Sequence, residues 1–92
     1  EFVASLAALY AGTGDHARVL EQYRELTAAR LRRLFGLPPG TPVGRLAERL
    51  SRVRGISPAG LEALTSPHAA GERREVVREA RALDALVEEA AR

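Results

Sequence analysis

The sequence contains no cysteine, methionine, tryptophan, lysine or asparagine, and its aromatic residues are two tyrosines and two phenylalanines. Without cysteine there are no disulfide scaffolds, thiol catalysis, iron–sulfur clusters or thiolate zinc sites. Long apolar runs are missing as well. The longest uncharged stretch, "FVASLAALYAGTG" (residues 2–14), falls short of the about 20 apolar residues a membrane span needs. It also has no basic segment ahead of it, so it does not read as a signal peptide. The absence of lysine and asparagine beside abundant alanine fits a bacterium with a GC-rich genome. All 14 basic side chains are therefore arginine, against 12 acids, for a net charge of +2. A nucleic-acid-binding domain usually carries a stronger basic excess, so nucleic acid is disfavoured as a partner.

What is present is enough for a core. Leu, Ile, Val and Phe make up 23 of the 92 residues, above the fraction below which chains stay disordered. This length fits a single helical domain over residues 1–92. With no methionine at its start, we expect it to be a fragment of a longer parent chain. A domain of this size buries only about 60–65% of its unfolded surface, so its stability margin is narrow.

No segment alternates apolar and polar residues as a strand does, and the helical period recurs throughout. A first helix is expected from about Phe2 to Ala11, with Phe2, Leu6, Leu9 and Tyr10 on its apolar side, ended by "GTGD". A second runs from about Asp15 to Phe35, with a buried stripe of Val19, Leu20, Tyr23, Leu26, Leu31, Leu34 and Phe35. Gly36 and "LPPGTP" stop it. Thr41 as N-cap and Pro42 at the first helical position start a third helix, with Leu46, Ala47, Leu50 and Val53 inward. Gly55 suits a left-handed C-terminal position, and Ile56 can fold back onto Leu50. Ser57-Pro58 opens a short fourth helix carrying Leu61 and Leu64. The last helix, from about Glu72 to Ala91, has a narrow, alanine-rich stripe of Val76, Ala80, Leu83 and Val87. It is expected to pack peripherally or to wait for a partner. The fold expected is all-α: a compact bundle of about five helices.

Candidate chemistry is sparse. His16 and His68 are isolated, without a metal-ligand partner at helical spacing. Ser57 and Ser66 precede proline as caps or turns do, and no serine has a nucleophile-elbow context. The glycines form no nucleotide-binding loop. Glu75 and Glu79 read as a solvated face. We expect no enzyme activity, no cofactor and no metal. "LAERLSRVRGISPAGLEAL" (residues 46–64) has the outline of a helix-turn-helix. Yet the positions of its second helix not needed for a core, Ala59, Gly60, Glu62, Ala63 and Thr65, include no base-reading arginine or amide.

The arginines cluster. From His16 to Arg54 there are nine against three glutamates; from Gly55 onward there are five against seven acids. Arg30, Arg32 and Arg33 complement the negative end of the second helix. Arg45, Arg49 and Arg52 follow the i, i+4, i+7 spacing of one helix face. A solvated face is one reading; a patch for an acidic partner or anionic headgroups is the other. The three are the candidate partner-binding residues, with Glu48 placed to dilute them.

"LAALYAGTGDHARVLEQYREL" (residues 6–26) resembles one tetratricopeptide hairpin, but 34 residues on stands "PGTPVGRLAERL", which does not. There is one hairpin and no array. The order "FVASLAALYAGTGDHARVLEQYRELTAARLRRLFGLPPGTP", "LAERLSRVRGISPAGLEALT" and "REARALDALVEEAAR" resembles the C-terminal cytoplasmic region of uncharacterised bacterial membrane proteins, domain-of-unknown-function family 4350. The resemblance implies a helical, non-catalytic tail on the cytoplasmic face of the inner membrane, anchored through an upstream part of the parent. It also implies a protein partner, such as the MoxR-type AAA ATPase often encoded beside these proteins, and no small-molecule substrate. Residues 6–52 are similar, too, to the helical bacterial transcriptional activator domain, which carries "GD-x-A…LE-x-Y" and "GL-x-P" at comparable places. That resemblance implies a regulatory module.

Overall fold

A computed structural model describes residues 16–65 and 72–92. They form four helices: α1 (His16–Leu34), α2 (Val43–Leu50), α3 (Pro58–Thr65) and α4 (Arg73–Ala91). Among the described residues the fold is all-helical, as the periodicity requires. The helix expected over residues 2–11, and with it the first arm of the hairpin, lies outside the described residues, as does His68.

The interior is aliphatic. Val19, Leu20, Tyr23, Ala28 and Leu31 of α1 meet Leu46 and Leu50 of α2, Ala63 and Leu64 of α3, and Val76, Ala80, Leu83 and Leu86 of α4. Leu26 and Leu34, which the periodicity assigns to the α1 stripe, are instead 51% and 44% exposed. At about 100° per residue, position 26 rotates off the buried face, and Leu34 stands at the last residue of α1. The interior between them is completed by polar side chains. Thr27 is buried and donates to the Tyr23 carbonyl four residues back (2.9 Å). Arg24 is buried as well, and its Nε donates to the Ala63 carbonyl (3.0 Å). That carbonyl belongs to the last turn of α3, where carbonyls have no partner within the helix. Arg24 thus ties the middle of α1 to the negative end of α3.

The α1 C-terminus closes in a Schellman arrangement. Leu37 N–H donates to the Arg32 carbonyl (2.8 Å) and Gly36 N–H to the Arg33 carbonyl (3.2 Å). Gly36 takes φ = +66°, which a Cβ would penalise. Thr41 is not the N-cap of α2. Its hydroxyl donates to the Pro38 carbonyl (2.7 Å) and is used in the turn before the helix. Pro42 is the N-cap, in an extended conformation and without a side-chain cap. Helix α2 then ends at Leu50, earlier than Gly55 suggests, and the chain turns through residues 51–55 before Gly55 takes φ = +83°.

Helix α4 is central, not peripheral. Val76, Ala80, Leu83 and Leu86 are fully buried, and its interfaces with α1 and α3 are the largest among the described helices. A narrow stripe of small residues reads as weak in sequence, yet it lets neighbouring helices approach closely. Gly60 of α3 lies where an added Cβ would come 2.9 Å from the Ala82 carbonyl and 3.0 Å from Leu86 Cβ. Gly60 and Ala63, which look dispensable to the core in sequence, are both buried against it. The start of α4 is a capping box of Glu72 and Glu75. Near its other end, Glu89 Oε1 accepts from Ser57 N–H at the entry to α3 (2.8 Å).

Candidate functional site

The α2 face develops from its sequence spacing. Its inward residues, Leu46 and Leu50, are buried, which turns Arg45, Glu48 and Arg49 outward on the opposite side. Arg52 follows the last helical residue. The turn after Leu50 tightens from i−4 to i−3 bonding: Ser51 N–H donates to the Ala47 carbonyl (2.9 Å), Arg52 N–H to Arg49 (3.2 Å) and Val53 N–H to Leu50 (2.9 Å). This turn keeps Arg52 on the same face. The structure accordingly brings Arg45, Arg49 and Arg52 together along one open groove of ≈ 490 Å³, with Glu48, Leu37, Thr41 and Pro42 as the rest of its lining.

Two features hold the groove in shape. The Arg49 guanidinium stacks over the Phe35 ring, 5.0 Å from its centroid, a cation–π contact worth about 0.5–1 kcal/mol at an exposed site. Arg32 Nε donates to the Thr41 carbonyl (2.8 Å), pinning the loop that forms the far wall to the end of α1. Sequence reasoning identified the arginine face and Glu48, but not Phe35 as a stacking partner or the 37–42 wall. The signal was there in part: a left-handed glycine followed by "LPPGTP" must fold back, and Pro42 delivers the returning chain to α2.

Several other arginines are engaged elsewhere. Arg30 pairs with Asp84 (3.7 Å) and Arg74 with Glu72 (2.8 Å). Arg24 carries both the Ala63 carbonyl and Glu21. No ion pair among the described residues engages Arg45, Arg49 or Arg52.

The remaining candidates gain no chemistry. His16 is the first residue of α1 and is half-buried. No group of three His, Cys, Asp or Glu side chains suited to a metal occurs among the described residues. Among the described residues Tyr23 is the one side chain with a displaced titration: burial, then the Asp84 carboxylate beside it, pushes the phenol above its ordinary value, partly offset by Arg30. Its hydroxyl donates to Asp84 Oδ1 (3.4 Å), which is an interhelical contact between α1 and α4. No described helix is long and apolar enough to cross a membrane. No family model, curated protein or solved structure matches the chain.

Proposed function

We propose that this chain is a non-catalytic protein-interaction module whose docking surface is the Arg45–Arg49–Arg52 groove. The observation that carries the reading is the gathering of three arginines, free of ion pairs among the described residues, along one concave surface. Burial of α4 removes the last helix as an apolar acceptor, so docking falls to the groove. The resemblance to the tails of domain-of-unknown-function family 4350 supports a place on the cytoplasmic face of a bacterial inner membrane, with the anchor in the parent chain. A MoxR-type AAA ATPase is then the partner to test. In this reading the domain has about five helices, residues 6–26 forming a tetratricopeptide-like hairpin.

The alternative is a regulatory module of a bacterial transcription regulator, favoured by "GD-x-A…LE-x-Y" and "GL-x-P". Direct DNA reading through residues 46–64 has no support, because Gly60 and Ala63 are buried and Glu62 would oppose phosphates.

The test places a photo-crosslinking amino acid in the parent chain in cells, at position 52 or, as a control on the exposed side of α4, at position 85. An adduct from position 52 alone, lost when Arg45 and Arg49 are changed to Glu, is expected. Equal adducts from both positions, or none, overturn the reading. Fractionation of the same cells separates the two settings. A parent that pellets with membranes and resists high salt is a membrane protein; a soluble parent transfers the argument to the regulator.

A further inference from the structure

Resting on the docking reading above, we infer that the groove takes an extended acidic segment of a partner protein, and that Glu48 selects which acidic segments fit. The geometry points to an extended chain. Along α2, at about 1.5 Å per residue, Arg49 lies about 6 Å from Arg45, and Arg52 follows in the turn beyond the helix end. In an extended chain alternate side chains recur on one side every 6.6–6.8 Å or so, so acids two residues apart match Arg45 and Arg49. Arg52 continues the track.

Charge and chemistry narrow the occupant further. Guanidinium groups bind carboxylates through paired, charge-assisted hydrogen bonds. Leu37 and Pro42 supply apolar wall for the stems between them. Arg49 is held in place over Phe35, which reduces the side-chain entropy lost on binding. Glu48 lines the same groove and offsets part of its positive charge. The side chain between two such acids points away from the arginines, so a further carboxylate there adds repulsion without meeting a guanidinium. The favoured segment therefore has acids flanking an uncharged residue, rather than an unbroken acidic run. A lipid surface is a poorer match: headgroups are arrayed on a broad plane, whereas these arginines surround a concavity containing a carboxylate. The chain's net charge of only +2 adds little long-range attraction to such a surface.

The experiment measures fluorescence anisotropy with the 92-residue chain and labelled peptides that alternate Glu with Ser, alternate Gln with Ser, or run as unbroken Glu. Vesicles of phosphatidylcholine with phosphatidylserine form a separate arm. The alternating acidic peptide is expected to bind in a salt-dependent way and the Gln peptide not to bind. Arg45→Glu/Arg49→Glu/Arg52→Glu abolishes binding with helicity unchanged. Removing one partly exposed charge contact changes affinity by up to about fivefold, so Glu48→Gln tightens binding by up to that factor, most for the unbroken Glu peptide. Binding insensitive to the arginine changes, or equal binding of the Gln peptide, overturns the inference. So does Glu48→Gln without a gain, or uptake by vesicles with no peptide bound. If no peptide binds while position 52 still crosslinks a protein in cells, the interaction module stands and the acidic-segment inference fails. If crosslinking also fails, both fall.

Discussion

Helices α3 and α4 approach closely at Gly60, and replacing it tests the packing directly. Gly60→Ala adds a methyl group whose carbon would lie 2.9 Å from the Ala82 carbonyl oxygen and 3.0 Å from Leu86 Cβ. The first obstacle is backbone and cannot rotate away, so α3 and α4 must part by a few tenths of an ångström along their shared, closely packed face. Over-packing of a core costs about 1–3 kcal/mol, and a backbone obstacle places this case in the upper half of that range. Alanine's better helix propensity returns about 1 kcal/mol. The net loss is about 1–2 kcal/mol, a fall in Tm of about 5–15 °C for a domain of this size. Gly44→Ala is the control. Gly44 also lies in an eight-residue helix, with nothing within 4 Å of its added Cβ, so only propensity acts. It should gain up to about 1 kcal/mol and raise Tm by a few degrees. Thermal melts followed by circular dichroism at 222 nm read both. A Gly60→Ala variant melting at or above the parent temperature would refute the argument that absence of a Cβ sets the α3–α4 distance.

The central position of α4 predicts that Leu83→Ala, at a fully buried site, costs about 2–5 kcal/mol in urea unfolding. Leu26→Ala on α1, 51% exposed, costs within about 0.5 kcal/mol; equal losses would return α4 to the periphery. Tyr23 predicts a pH dependence. Burial and Asp84 keep its phenol protonated in the fold where the unfolded chain ionises near 10.0, so above that pH the unfolded state binds fewer protons. Stability is then intact below about pH 10 and declines as pH rises through the folded-state pKa. With no lysine or cysteine in the chain, few other groups titrate there. Tyr23→Phe should flatten the decline, and an unchanged alkaline slope in urea titrations would contradict the assignment.

Much of the local structure follows from the sequence alone. The helical period located all four described helices, because each buries one stripe of its own residues. Gly36 was legible as a helix stop and Gly55 as a left-handed position, since proline or a helix start close behind leaves the chain little choice. The i, i+4 spacing placed Arg45 and Arg49 on one face by helix geometry, whereas Arg52 lies past the helix end and is kept on that face by the tightened turn. Tertiary structure decided what those faces meet. Leu26 and Leu34 belong to an apolar pattern, but only the positions of neighbouring helices show that they remain half-exposed. Thr41 has the composition of an N-cap, yet the Pro38 carbonyl claims its hydroxyl. The alanine-rich last helix became central because burial depends on how closely partners approach, and Gly60 on another helix permits that approach. Arg24 looks like one more surface arginine until the α3 terminus is brought beside it. The groove itself is a product of the fold. A row of arginines is a surface charge; the 37–42 loop, folded back and pinned by Arg32, supplies the wall that makes it a concave site.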